Sequence, residues 1–233
     1  MNIYKIKKDL EKQQKVVFTI NEIARISKLN KKSASVYVNR MLKNNILYRV
    51  EKNKLTISED PFIIASQLNN QSYLSLTTAL YLHNKIEQII NKIYIITTIA
   101  RKPLKINGME IVFVKTSREN MYGYKRVKKE NSFIMLGDLE KTIIDCIDHM
   151  KYIPINYMIQ AIKESDPIIL QNYAEKSGKE GLIRRLGYLM DILNIKNRLK
   201  IKTKNIYKLN PKIKTKGKFN NKWHLYINEE VKC

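Results

Sequence analysis

Between Thr19 and Ile57 the apolar positions change their period twice. Ile20, Ile23, Ala24 and Ile26 share one face of a short helix, with Thr19 as its N-cap; the polar turn Ser27-Lys28-Leu29-Asn30 closes it, with an asparagine able to adopt positive φ. Ala34, Val38, Met41 and Leu42 then fall at i, i+4, i+7 and i+8, which predicts a second helix over 31–43, stopped by Asn44-Asn45. Beyond it Ile46, Tyr48 and Val50 alternate, and Leu55-Thr56-Ile57 comes after the turn Glu51-Lys52-Asn53-Lys54, the pattern of a hairpin. Helix, turn, helix and hairpin together predict a winged helix-turn-helix domain over 1–60.

A boundary is expected at Ser58-Glu59-Asp60-Pro61, where a polar run and a proline separate the hairpin from the apolar segment Phe62 to Leu68. Past it, Ser75 opens a helix over 76–83 that Asn84 closes, and 93–98, 109–114 and 133–136 read as strands, with a turn at Asn107-Gly108. Asp138 caps a helix over 139–150 with Glu140 in its first turn. Ile155, Met158, Ile159 and Ile162 keep helical spacing up to Asp166-Pro167. Leu182, Leu186, Leu189 and Leu193 form a stripe too short for a coiled coil, hence core packing, and Trp223 to Asn228 reads as a last strand. The expected class is α+β: a winged helix-turn-helix and then, over 61–233, a mixed α/β domain with a small sheet, C-terminal helices and a basic terminal segment.

Charge is informative only where it clusters. The 233 residues carry a net charge of +23, which favours polyanions through counterion release, yet the chain is also rich in Ile and Asn, as A/T-rich coding would make it. Two clusters stand out: 28–54, where Glu51 is the lone acid, and 196–222, which has none. On the predicted second helix Lys31, Lys32, Ser33, Ser35, Asn39, Arg40 and Lys43 lie largely off the apolar face and are the groove-facing candidates, and Arg49, Lys52 and Lys54 place cations on the hairpin. Asn39 or Arg40 would read base edges while the lysines position phosphates on double-stranded DNA.

No apolar run approaches the length of a membrane span and the start lacks a signal peptide's apolar core, so no membrane partner and a cytoplasmic location are expected. Cys146 and Cys233 offer neither a disulfide framework nor zinc-ligand spacing. His83, His149 and His224 do not cluster with acids or cysteines at metal-ligand spacing, and there is no Gly-rich phosphate loop or nucleophile elbow, so no metal, cofactor or catalytic residue is assigned. Asp138-Leu139-Glu140-Lys141 resembles the carboxylate and lysine core of a metal-dependent nuclease, but at a helix start Asp138 caps, Glu140 meets the dipole, Lys141 faces solvent, and Asp145 and Asp148 are exposed. An RNA-contacting role for the 196–222 tail ranks last, because no clustered exposed aromatics are evident for base stacking.

The chain resembles the AbiEi-type antitoxins and related transcriptional regulators of viral defence systems. The carrying segments are Ala65 to Leu68, Ser72 to His83 and Ile86-Glu87-Gln88. Further matches are Ile93 to Thr98 with Arg101-Lys102, Gly123-Tyr124, Asp138 to Asp145, Arg184 to Leu189 and Trp223 to Asn228. Asn84 stands where the family commonly has Gly, and Leu139 where it commonly has Pro; both are tolerable replacements. The resemblance implies a repressor of its own operon, paired with a nucleotidyltransferase-type toxin encoded beside it; helix-turn-helix geometry adds the expectation of a homodimer on inverted half-sites. It also implies a basic surface in the second domain, with Arg101, Lys102, Lys105, Lys125 and Arg126 as partner-binding candidates. The alternatives are a metal-dependent nuclease-like defence effector using Asp138, Glu140 and Lys141, and a plain winged-helix transcription factor without a toxin partner.

Overall fold

Ile6 and Leu10 have no solvent exposure, and the helix that carries them, α1 (Ile3–Glu11), begins the structure, a computed structural model that describes residues 2–232; Cys233 lies outside the described residues. The chain folds into two compact units that interleave in sequence.

The first unit comprises Met1–Leu74, Asn91–Lys115 and Arg126–Leu136. Helices α1, α2 (Ile20–Ile26) and α3 (Lys31–Lys43) accompany a three-stranded antiparallel sheet of β1 (Val17–Phe18), β2 (Tyr48–Glu51) and β3 (Lys54–Thr56), in the order β1-β3-β2. Ile6, Leu10, Phe18, Ile23, Val38, Met41, Leu47 and Leu55 form the core of this part. Pro61 does not break a helix here; it starts one. Helix α4 (Pro61–Gln67) has proline at its first position, where the missing N–H is no loss, and Asp60 Oδ1 accepts from Phe62 N at 2.7 Å and Ile63 N at 3.1 Å. Gln67 then joins three segments: its Oε1 accepts from Val16 N at 2.8 Å and its Nε2 donates to Phe133 O at 2.9 Å. The unit that holds α1–α3 thus runs past residue 60.

A six-stranded sheet completes this architecture: β4 (Ser72–Leu74), β5 (Lys92–Thr97), β6 (Leu104–Ile106), β7 (Met109–Lys115), β8 (Tyr124–Lys129) and β9 (Ser132–Gly137), ordered β6-β7-β5-β4-β9-β8. The Asn107-Gly108 turn, with φ of 46° and 81°, connects β7 to the short β6, while β5 and β7 run parallel from Lys92↔Glu110 to Thr97↔Lys115.

The second unit comprises Ser75–Ile90, Thr116–Lys125 and Gly137–Cys233. Helix α6 (Leu139–Asp148) is packed by α5 (Leu76–Leu82), α7 (Ile159–Glu164), α8 (Pro167–Ser177) and α9 (Glu180–Ile192). Proline again opens rather than ends a helix, since Asp166 caps α8 with Pro167 at its first position. The small sheet β10 (Tyr207–Lys208), β11 (Lys218–Asn220) and β12 (Leu225–Ile227) has the order β10-β12-β11. The fold is mixed α+β, and none of its described helices is long and apolar enough to cross a membrane.

Candidate nucleic-acid interface

Thr19 and Glu22 fix the start of α2 by exchanging hydrogen bonds: Thr19 Oγ1 accepts from Glu22 N at 3.2 Å, and Glu22 Oε2 accepts from Thr19 N at 2.7 Å. Burial pushes the Glu22 carboxyl pKa up, but the bonds from Lys15 and Thr19 outweigh it and hold it below the ordinary value. In the next turn the left-handed residue is Lys28, with φ of 54°, and not Asn30. Asn30 instead caps α3, its Oδ1 accepting from Ser33 N at 2.8 Å. Helix α3 is therefore entered at a fixed angle.

Ala34, Val38 and Met41 turn one face of α3 into the core. On the opposite side Lys32, Val36, Asn39 and Lys43 succeed one another at i, i+4, i+7 and i+11, all exposed, with exposed Lys31 and Arg40 and half-buried Ser33 and Ser35 beside them. Ser35 Oγ donates to Lys31 O at 2.9 Å, and the Arg40 guanidinium lies 5.7 Å from the Tyr37 ring centroid. Among the described residues no ion pair involves Lys31, Lys32, Arg40, Lys43, Arg49 or Lys52. The first turn of α3 carries two lysines and no acid, so like charges meet at the positive end of the helix dipole, an arrangement that an incoming phosphate relieves. Val36, 51% exposed, is the member of this face that pattern reading passes over. Its spacing from Lys32 and Asn39 was the available signal, and a branched methyl pair there suits contact with a thymine methyl.

The hairpin separates its cations. Arg49 and Lys52 are exposed, and Asn53 makes the tight turn with φ of 63°. Lys54 is half-buried, 2.9 Å from Glu51, and donates to Leu68 O. Its place among the DNA-facing cations is therefore corrected: it is held inside the unit by a carboxylate and a helix-terminal carbonyl. Arg101 is corrected likewise. It pairs with Glu51, donates to Asn69 Oδ1 at 2.7 Å, and stacks 4.3 Å from the centroid of Phe113. With both hydrogen bonds and stacking satisfied, it is a structural cation and not a free contact for a partner.

Lys102, Lys105, Lys125 and Arg126 are exposed. The Arg126 guanidinium lies 3.7 Å from the Phe133 ring centroid and donates to Gln14 Oε1 at 2.9 Å. A cleft of about 100 Å³ is lined by Tyr48, Arg49, Lys105 and Asn107 among others, so one hairpin cation and one lysine of the second group share a surface of the first unit.

In the second unit, Lys141 and Asp145 do not face solvent as expected. They are 1% and 3% exposed and form an ion pair at 2.7 Å, with Ser75 Oγ donating to the other Asp145 oxygen at 2.8 Å. Ser75 thus begins α5 without a side-chain cap bond, and the fully buried Leu76 next to it holds a φ of 55°. Asp138 caps α6, its Oδ1 accepting from Lys141 N at 2.7 Å and its Oδ2 accepting from Tyr173 OH at 3.0 Å. Burial raises the Asp138 pKa, and burial together with the Asp138 bond pushes the Tyr173 hydroxyl up to about 12. Glu140 Oε1 accepts from Asp166 N at 2.8 Å. Asp138, Glu140 and Lys141 are thus each engaged with a different partner. No group of three or more His, Cys, Asp or Glu able to hold a metal ion occurs among the described residues.

In sequence, no family model and no curated protein matches the chain. In structure it is similar to the RV2827C protein from Mycobacterium tuberculosis, with a TM-score of 0.58 over 95% of this chain and 89% of that one, at 11% identity. A likeness at that identity establishes the shared mixed α+β fold.

Proposed function

We propose that this chain is a DNA-binding transcriptional regulator whose α1–α3 and β1–β3 form a winged helix-turn-helix, with α3 lying in the major groove and the β2–β3 hairpin on the flanking backbone. The observation that carries the reading is the outer face of α3, where Lys32, Val36, Asn39, Arg40 and Lys43 stand exposed and, among the described residues, the cations lack ion-pair partners. Asn39 and Arg40 supply the bidentate donor and acceptor geometry that base edges select, and Lys31, Lys32, Lys43, Arg49 and Lys52 supply phosphate contacts. Two copies on inverted half-sites would give the site its length.

The antitoxin half of the proposal rests on the sequence resemblance through 65–88 and 138–145. In it the chain represses its own operon and counteracts a nucleotidyltransferase-type toxin encoded beside it, in the cytoplasm. Mobility shift with duplex DNA from upstream of the reading frame tests the DNA reading. The expected result is a sequence-selective complex that Lys32→Ala, Asn39→Ala and Arg40→Ala together abolish; a complex that survives the triple change contradicts it. Co-expression with the adjacent gene tests the second half, and a neighbour unrelated to nucleotidyltransferases leaves a plain transcription factor.

A further inference from the structure

Sequence reading finds no clustered aromatics on the lysine-rich tail, and the folded C-terminal sheet overturns that. Phe219 on β11 is the direct cross-strand partner of Tyr226 on β12, so the two rings share a face, with centroids 5.2 Å apart. The neighbouring pair Asn220↔Leu225 sends the fully buried Leu225 to the opposite face, which places Phe219 and Tyr226 on the outer one. His224 adds a third ring, 6.3 Å from Phe219, and Phe219 is 37% exposed.

The loop that carries the cations beside these rings is held by hydrogen bonds to its backbone. Asn228 Nδ2 donates to Asn210 O at 2.8 Å and to Ile213 O and Thr215 O at 3.2 Å, while Lys208 Nζ donates to Ile213 O and Lys214 O at 3.2 and 2.6 Å. These bonds fix the loop backbone through 210–215, and the exposed Lys212, Lys214 and Lys216 project from it. Lys216 Nζ lies 5.6 Å from the Tyr226 centroid. Gly217, at φ of 72°, permits the closure: a Cβ there would lie 2.0 Å from Ile227 O. Trp223 anchors the sheet on α9, lying against Gly187 and donating from Nε1 to Asp191 Oδ2 at 2.7 Å. Rings framed by lysines of the 196–222 segment, which has eleven cations and no acid, match what an unpaired polynucleotide presents: base faces to stack and phosphates to neutralise.

We propose that the outer face of β11–β12, with Phe219, Tyr226 and His224 beside the 210–216 loop lysines, binds single-stranded nucleic acid by base stacking, as a second site independent of α3. An anionic membrane also seeks lysines, but one part-exposed phenylalanine offers little apolar area to insert.

The test measures fluorescence anisotropy of labelled oligouridylate and oligothymidylate, each about 12 nucleotides, against a duplex, using the full chain with Lys32→Ala, Asn39→Ala and Arg40→Ala so that α3 does not contribute. Both single strands should bind more tightly than the duplex, and the tighter of the two identifies RNA or DNA as the source. Phe219→Ala should weaken single-strand binding by about fivefold or more, leaving its salt dependence unchanged, whereas Phe219→Tyr and Tyr226→Phe, which keep the rings, should bind within about twofold of the parent. Trp223 fluorescence monitors the fold of each variant. Equal affinity for duplex and single strands, indifference to Phe219→Ala, or binding to anionic vesicles but not to oligonucleotides would overturn the proposal.

Discussion

Lys32 on α3 and Lys141 on α6 start alike, each a lysine in the first turn of a helix capped by an Asn or Asp side chain, and they end in opposite environments. Lys32 stands in solvent with Val36 one turn on, also exposed. Lys141 finds Asp145 one turn on and is buried with it, its ammonium 4.6 Å from the centroid of Tyr122. In a chain this rich in lysine, a charge becomes informative only when its surroundings are known. On α3 the cations are spare; on α6 the cation is part of the core. Arg184 extends the second case, fully buried on α9 and donating to Glu180, Thr203 and Asn205, so that it holds the segment before β10.

The contrast breaks most visibly at the buried pair. Lys141→Ala should cost about 3–5 kcal/mol in urea denaturation, because it strands the Asp145 carboxylate away from water. Lys141→Met combined with Asp145→Leu should recover most of that loss. The triple change on α3 should move stability by no more than about 0.5 kcal/mol while it removes DNA binding. Equal destabilisation at both places would erase the distinction.

The first unit sharpens the comparison at smaller scale. Arg101→Ala should cost about 2 kcal/mol of stability, through its lost hydrogen bonds and its stacking on Phe113. Lys54→Ala should cost about 1 kcal/mol and leave the salt dependence of DNA binding unchanged. Lys52→Ala should do the reverse: unaltered stability, and a log–log salt slope shallower by about 0.9, the value for one phosphate contact. Salt titrations of the three variants separate these outcomes.

The smallest effect concerns His149, the C-cap of α6. Burial lowers its pKa below 6.5, and Asp148 and Asp145, which favour the charged ring, do not reverse this; Lys179 and Lys141 oppose it further. Below pH 6.5 the unfolded chain binds a proton that the folded one resists, so stability should fall as pH drops through that value, and this contribution should be constant above it. His149→Gln should flatten that part of the stability–pH profile, measured by urea midpoints between pH 5 and 8. An unchanged slope would mean the ring is as readily protonated folded as unfolded.

Much of the α2–α3 and β2–β3 region was legible in the chain because its signals are local. Thr19 leads to the start of α2, the apolar spacing of 34–42 and the Asn44-Asn45 stop lead to the observed span of α3, and Asp138 leads to the start of α6. What escaped depends on distant partners. Helix α1 carries its buried Ile6 and Leu10 among Lys5, Lys7 and Lys8, so the stripe is visible only once a core receives it. Pro61 and Pro167 look like breakers until an aspartate before each makes them helix starts. Strands β4, β6 and β8 are short or basic and owe their existence to sheet neighbours. Arg101 reads as a free cation in sequence because Glu51 is remote from it, and Lys54 because Leu68 O, which it reaches, is fourteen residues away. The ring cluster on β11 and β12 likewise depends on a cross-strand register that no periodicity in the Lys-rich tail announces.

Amide hydrogen exchange of the full chain, with and without its upstream duplex DNA, maps the surface that meets DNA. Added protection should concentrate in 28–43 and at the hairpin turn around Lys52 and Asn53, and be removed by Lys32→Ala, Asn39→Ala and Arg40→Ala together. Protection confined to other segments, with the α3 and hairpin amides unchanged by the duplex, would contradict the placement of DNA on α3 and the hairpin.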